Sequence, residues 1–302
     1  MKLEEANIDL DLIKNIESEL SLSYLKTIHG KYCLSVEQIL TMLSSPLVLM
    51  SMAMAKVKQD HLSIQSAVKL GFLTHNHPDD PKDTAKLLVQ FFKDELKKSN
   101  ENIVEEAQKE SQKLYDKSEE IRTVFNDIGL NALVNSWTLF EAFIKDIWII
   151  TLNTYPELLN NKVINTKSDN ENSNNSKMIP LNILSKYNYD ISQHLGEILA
   201  SKYDFTGVEG IKKSFKDLLN INENEVDFLS STKINQLEIC RHIIVHNATV
   251  IDNKYLTRSK RKNEENGQKL ILDITEISEM INYSIECVRS ILLLVDNKIN
   301  NR

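Results

Sequence analysis

The side chains best suited to chemistry are concentrated in one short stretch, Cys240–Asn247, which reads Cys-Arg-His-Ile-Ile-Val-His-Asn. Arg241 is a permanent cation whose planar guanidinium suits a phosphate or the charged transition state of phosphoryl transfer. His246 titrates near neutral pH and could take up or return a proton. Together they could cleave RNA without a metal: one histidine removes the ribose 2′-OH proton, the 2′ oxygen attacks the adjacent phosphorus, and a second histidine protonates the leaving 5′ oxygen.

The spacing of Arg241 and His246 limits how one helix could present them. At 100° per residue they lie about 140° apart, so one straight helix does not aim both at the same point. Either the helix ends near His246, or a second copy of the chain completes the site, because a two-fold axis sets the same patch against itself. The structural alternative is a helix-end arginine and histidine that contact carbonyls or a neighbouring carboxylate.

A carboxylate on an apolar helix face gives a second signal. On the helical wheel of residues 130–151, Glu141 falls at the centre of the apolar stripe, about 20° from Leu130, and Lys145 lies on the edge of the stripe. A carboxylate there is costly unless it is paired, and Arg241 is the natural candidate partner. Such a pair would serve an active site or tie two bundle helices together.

These segments resemble the HEPN superfamily, most closely its prokaryotic branch in toxin–antitoxin and abortive-infection systems. The likeness covers about residues 120–300 and rests on Trp137–Ile147 (Trp-Thr-Leu-Phe-Glu-Ala-Phe-Ile-Lys-Asp-Ile), Arg241–Asn247 and Val250–Leu256. The family motif is an arginine, a polar residue and a histidine after a gap of four to six residues, which Arg241, His242 and His246 match. Members that pair with a nucleotidyltransferase often carry a tyrosine where this chain has Ala248, which puts that particular system in doubt.

The resemblance implies a helical bundle that dimerises, with a metal-independent endoribonuclease site at the interface. Arg241 would orient the scissile phosphate and stabilise its charge, and His246 would be the general acid and base. His242 and Asn247 would position reacting groups, and Glu141 would hold Arg241, with Lys145 beside it. We therefore expect a cofactor-free homodimer that cuts RNA, tRNA included, in phage defence or toxin–antitoxin growth arrest, with an antitoxin or another defence-system protein as a further partner.

Two alternatives remain open. One is a non-catalytic HEPN module that binds a nucleotide, RNA or a partner protein. The other is a helical adaptor whose methionine-rich N-terminal part is the contact surface. A partner that binds to the protein without any RNA cleavage would favour the non-catalytic module or the adaptor.

Basic and metal-ligating residues near the motif add weaker expectations. A basic cluster in the following loop could grip RNA phosphates, or it could simply be solvated because two glutamates follow it: Arg258, Lys260, Arg261 and Lys262. His242 and His246 have the i, i+4 spacing of a zinc pair, but no glutamate follows His242 as in HExxH and no third ligand is evident. We expect no metal there, nor in the loop that contains His75, His77, Asp79 and Asp80.

Composition favours an all-α fold. The 302 residues include 7 glycines and 5 prolines, where average usage predicts about 21 and about 15. That scarcity disfavours β-sandwiches, barrels and glycine-dependent nucleotide folds, and neither GxGxxG nor GxxxxGK[ST] occurs. The three cysteines form no CxxC pair and fit a reducing compartment. Because the net charge is −7, nucleic-acid contact would need a local basic patch.

Apolar periodicity predicts two parts. Residues 1–100 would be an N-terminal region of four or five short helices, of unknown role. Residues 101–302 would be the HEPN-like domain, with a heptad seam over 104–128 and a mobile polar insertion at 160–177. Within it, Val250–Leu256 and Leu270–Ile274 are β-prone, and Asp273 with Glu276 can cap a final helix.

The N-terminus does not read as a targeting or membrane segment. It is acidic and amphipathic, whereas a signal peptide needs a basic start and an apolar core. The most apolar stretch, Met42–Ala55, is shorter than the roughly 18 residues that a spanning helix needs, and a packed core helix is its simplest explanation. We expect a cytoplasmic protein that does not enter a membrane.

Overall fold

The computed structural model describes residues 6–76, 86, 89, 90, 93, 105–159, 181–259, 261 and 264–301. Its α-helices, in chain order, are α1 (Asp11–Lys14), α2 (Ser23–Asn76), α3 (105–117), α4 (Glu119–Thr154), α5 (Leu181–Ser185), α6 (Leu195–Ala200), α7 (Val208–Leu219), α8 (Thr232–His246), α9 (Asn253–Ser259) and α10 (Ile274–Asn300). Short 3₁₀ helices cover Asn15–Ser18, Pro156–Leu159 and Glu223–Ser230. Within these ranges no residue belongs to a strand, which confirms the all-α class.

The chain forms two compact units, whose boundaries lie within α2 and near the start of α4. One unit comprises residues 42–128 where they are described, and the other comprises residues 6–41 and 129–301. The sequence-based division near residue 100 differs from this partition, because residues 6–41 belong with the C-terminal helices. The predicted insertion at 160–177 lies outside the described residues, as do His77, Asp79 and Asp80.

The core of the larger unit is built on α4, α8 and α10. Trp137, Phe140 and Trp148 of α4 are fully buried, as the apolar stripe predicts. The Trp148 indole N–H donates to the Ser214 carbonyl at 3.0 Å, so this large side chain is both packed and satisfied. The predicted cap of α10 is confirmed, because Asp273 and Glu276 form a reciprocal capping box.

A buried carboxylate fastens the N-terminal segment to α10. Asp296 is 4% exposed, and it accepts hydrogen bonds from the backbone N–H groups of Ser21 and Leu22 at 3.0 and 2.9 Å. Asn300 also donates to this carboxylate, at 3.0 Å. Because a buried charge is tolerated only when its oxygens are satisfied, these bonds account for a conspicuous polar residue on an otherwise apolar stripe.

The prediction of several short helices before residue 76 is wrong, because α2 runs unbroken from Ser23 to Asn76. Neither Gly30 nor Gly71 ends it. Pro46, which has no N–H to donate to the Met42 carbonyl, also lies inside the helix. The Ser45 hydroxyl donates to that carbonyl at 3.2 Å instead, so the hydrogen bond lost at the proline is replaced by a side chain.

The apolar stretch of α2 is largely exposed. Within Met42–Ala55 the buried residue is Leu43, while Leu49 and Met52 are about two-thirds exposed, so the expectation of a packed core helix is wrong. Among the described residues one segment, Ser23–Gln65, is long and apolar enough to cross a membrane, with a mean hydropathy of 1.5 and 11% of that window buried. Buried core helices and signal sequences meet the same criterion, so the expectation of no membrane contact stays a prediction.

The predicted heptad seam is interrupted at Ser118. The Ser118 hydroxyl accepts the Ile121 N–H at 3.2 Å and so caps the start of α4. Arg122 donates to the Tyr115 and Asp116 carbonyls at the end of α3. These side chains satisfy the helix-end groups that a break exposes. Beyond the break, α4 continues through Gly129, as the adjoining apolar patterns allow.

The β-prone reading of Val250–Leu256 is correct only at its start. Val250 forms an isolated antiparallel bridge with Lys269, and the Ile251 N–H donates to the Gln268 carbonyl at 2.8 Å. From Asn253 onward the chain is helical, as α9. The Asp252 carboxylate accepts the Tyr255 N–H at 2.6 Å, which is the side-chain cap that starts a helix.

Candidate functional site

The motif occupies the last turns of α8. This helix begins after Ser231, whose hydroxyl accepts the Lys233 N–H, and it ends at His246. That Arg241 and His246 act on the same group stays a prediction. Ala248 and Thr249 then adopt left-handed backbone angles, with φ of +49° and +67°. Such angles cost of order 1–3 kcal/mol in residues other than glycine, so the turn must be held by its surroundings.

Asn247 and Asp252 hold that turn. The Asn247 side-chain amide donates to Asp252 Oδ2 at 2.6 Å, while Asp252 Oδ1 caps α9. The capping bond to the Tyr255 N–H is the main reason that the pKa of Asp252 is lowered. Asn247 therefore links the end of α8 to the start of α9, and its role in positioning reacting groups stays a prediction.

His242 and His246 lie side by side. Their ring centroids are 4.8 Å apart and their planes are inclined by 49°. His242 is half-buried and His246 is exposed, so the second imidazole is the one open to a large substrate. The i, i+4 spacing on α8 accounts for this arrangement, because residues one turn apart are neighbours on a helix surface.

The environment of His242 disfavours its charged form. Burial lowers its pKa most, and the positive charge of Lys254 lowers it further, followed by His246 and Arg258. Asp252 acts in the opposite direction. The lowered pKa of His242 favours the neutral imidazole, whose ring can accept a proton.

Arg241 is half-buried and has an unsatisfied group. Its Nε is buried and makes no hydrogen bond, and among the described residues no carboxylate oxygen lies within 4 Å of its guanidinium. A buried donor without a partner costs about 1–3 kcal/mol. An anionic ligand at this position would satisfy the donor.

The positive charge of Arg241 acts on the Glu141 carboxylate, but the two side chains do not form the expected ion pair. The Glu141 carboxylate instead accepts the Trp137 indole N–H at 2.5 Å. Burial raises the pKa of Glu141, and the Trp137 hydrogen bond and the Arg241 charge both oppose that shift. Lys145, one turn further along α4, is exposed.

The predicted RNA-contacting cluster is partly used within the chain. Arg258 pairs with Glu238 at 3.4 Å. Arg261 pairs more closely, with Glu264 at 3.1 Å and Glu276 at 2.6 Å. These bonds reduce the charge that either arginine can offer to RNA. Lys260 and Lys262 lie outside the described residues.

Lys254 adds a positive charge near His242 and was not among the candidate residues found from the sequence. The spacing of Lys254 and Arg258, i and i+4, would place both cations on one face of a helix, but the β-prone prediction for Val250–Leu256 hid this pattern. The exposed apolar side chains around the end of α8 were missed as well. Val245, Val250 and Ile271 are 48%, 43% and 64% exposed.

A metal centre finds no support in the described residues, where no group of three or more histidine, cysteine or carboxylate side chains is placed to hold an ion. The His242–His246 pair offers two ligands at most. The chemistry that the arrangement can perform is proton transfer by two imidazoles, with an adjacent arginine to bind an anion. Comparison with protein-family models, with curated proteins and with solved structures finds no match for this chain.

Proposed function

We propose that this protein is a metal-independent endoribonuclease of the HEPN type, acting in the cytoplasm in phage defence or toxin–antitoxin growth arrest. The observation that carries the proposal is the end of α8, where Arg241 has a buried Nε without a partner and is followed by two imidazoles 4.8 Å apart. RNA cleavage by the 2′-OH requires an anion-binding group and two proton carriers. Arg241 would bind the anion, the His246 side chains of two facing copies would be the carriers, and His242 would orient the reacting groups.

The proposed reaction balances without a cofactor. A neutral imidazole takes the proton of a ribose 2′-OH, the 2′ oxygen forms a bond to the adjacent phosphorus, and the bond from phosphorus to the 5′ oxygen breaks. A protonated imidazole gives its proton to that 5′ oxygen. Arg241 stabilises the negative charge that grows on the phosphoryl oxygens. The products are a 2′,3′-cyclic phosphate and a 5′-hydroxyl.

We expect the active form to be a two-fold homodimer. Val245 and Val250 are exposed apolar residues on either side of the turn that follows His246, and a second copy of the same surface would cover them. The facing copy would also bring a second Arg241 and His246 to the shared cleft. Light scattering at micromolar concentration should give twice the 34.7 kDa chain mass. A monomer both with and without RNA would contradict this arrangement.

The decisive experiment incubates the purified protein with total RNA in the presence and absence of EDTA. We expect cleavage to survive EDTA and to leave 2′,3′-cyclic phosphate ends, because both proton carriers belong to the protein. RNA with a 2′-O-methyl group at the cut site should resist. If cleavage stops with EDTA and returns with zinc, His242 and His246 hold a metal instead. If RNA or a nucleotide binds but is never cut, the protein is a non-catalytic module.

A further inference from the structure

The turn between α8 and α9 makes these two helices antiparallel neighbours. Asn247 and Asp252 are joined at the turn, and Glu238 and Arg258 are joined further along, at 3.4 Å. Between these two fixed pairs, the same antiparallel register sets Lys254 opposite His242. The electrostatic effect of Lys254 on His242 agrees with this placement.

Lys254 differs from Arg258 and Arg261, the other two described cations of the basic segment that follows the turn. It is exposed and forms no ion pair with the described residues, whereas Arg258 and Arg261 are each held by glutamates. The nearest acidic group in the turn, Asp252, already accepts hydrogen bonds from Asn247 and from the α9 backbone. The charge of Lys254 is thus left available to a ligand, although it disfavours protonation of the neighbouring imidazole.

We infer that Lys254 binds a phosphodiester group of single-stranded RNA at the His242–His246 pair. An anion placed there would offset the repulsion between Lys254 and a protonated imidazole, which Asp252 offsets only in part. A lysine ammonium suits this task because it acts as a point charge and tolerates different phosphate orientations. The identity of the ligand rests on the proposed function, but binding itself does not require cleavage.

The test uses a labelled single-stranded oligonucleotide with 2′-O-methyl groups throughout, which can bind but cannot be cut. Its affinity is measured by fluorescence anisotropy from about 50 to about 200 mM salt. We expect Lys254→Gln to weaken binding about three- to tenfold and to reduce the salt slope by about 0.7, the value for one contact to a single strand. Lys254→Arg should restore both. The matched control is Lys213→Gln, an equal loss of charge at an exposed position of α7, and it should change neither.

A second measurement checks the placement of Lys254 without RNA. An NMR titration of the His242 ring should give a higher pKa in Lys254→Gln than in the parent, because a nearby positive charge has been removed. Lys213→Gln should leave the pKa of His242 unchanged. An unchanged pKa in Lys254→Gln, or equal affinity and salt slope in both glutamine variants, would overturn the inference.

The inference and the proposed ribonuclease fail in different ways. If the parent protein binds the oligonucleotide through Lys254 but leaves natural RNA intact, the phosphate site is supported and the proposed ribonuclease activity is contradicted. If the parent protein cuts RNA while Lys254→Gln binds the oligonucleotide as tightly as the control variant does, the ribonuclease activity is supported and the phosphate site at Lys254 is contradicted. A parent that does not bind the oligonucleotide would overturn the phosphate site, whatever the cleavage assay shows.

Discussion

Replacing His246 by alanine should lower the rate of RNA cleavage by about 10²–10⁴, the usual contribution of one acid–base group. The loss should appear in single-turnover measurements with saturating protein, which report the chemical step. The fold should survive because His246 is exposed and its recorded ring contact is with His242. Far-UV circular dichroism and light scattering would show whether structure and assembly are retained.

Two further variants make this result interpretable. His61→Ala removes an exposed histidine of α2, in the compact unit that does not contain the motif, and should leave the rate unchanged. His242→Ala should cost less than His246→Ala, since the proposed role of His242 is to orient reacting groups. If His246→Ala cuts RNA as fast as the parent, His246 is not the proton carrier and the non-catalytic module becomes the better description.

The elements that the sequence predicted well are those whose apolar stripe agrees with their local caps. In α10 the stripe of buried residues follows an Asp273–Glu276 capping box, so burial and helix start point to the same boundary. The all-α class followed instead from the scarcity of glycine and proline in the whole chain. The end of α8 near His246 was one of the two arrangements that the spacing of Arg241 and His246 allowed.

The elements that were missed depend on interactions that local pattern does not weigh. A helix could have ended at Gly30 or Gly71, yet α2 continues through both because a glycine costs only about 1 kcal/mol in a helix. It also continues through Pro46, where the Ser45 hydroxyl replaces the hydrogen bond lost at the proline. The Val250–Leu256 segment was predicted to be β-prone because it begins with β-branched residues, and the capping potential of Asp252 was not considered. In the structure the Asp252 cap decides, and the segment becomes α9.

The candidate site shows the same limit. The stripe argument proposed Arg241 as the partner of Glu141, but it could not show that Trp137, one turn away on the same helix, supplies the hydrogen bond, while Arg241 acts on Glu141 only through its charge. Consequently the arginine was expected to be paired, and the structure leaves its Nε without a partner. An unsatisfied buried donor is the kind of local rule that proteins break at functional sites.

That unsatisfied donor leads to the second prediction, which concerns Arg241→Met. We expect RNA cleavage to fall by about 10²–10³, as when one donor to a charged transition state is removed. The free energy of unfolding should stay within about 1 kcal/mol of the parent or rise, because methionine keeps an apolar stem and removes a buried group that lacks a partner. The matched control is Arg289→Met, which removes an arginine paired with Glu19 on the surface and should leave cleavage unchanged.

The pH dependence of stability separates this role from a structural one. The folded-state pKa of Glu141 is raised, so its contribution to stability is present below the unfolded pKa and is lost as pH rises through the folded one. Arg241 opposes that shift, and Arg241→Met should therefore raise the pKa of Glu141 further and extend the loss to higher pH. Urea unfolding across this range measures the change. An Arg241→Met protein that loses more than about 3 kcal/mol at every pH would identify the arginine as a structural group, and one that retains full cleavage would remove it from the site.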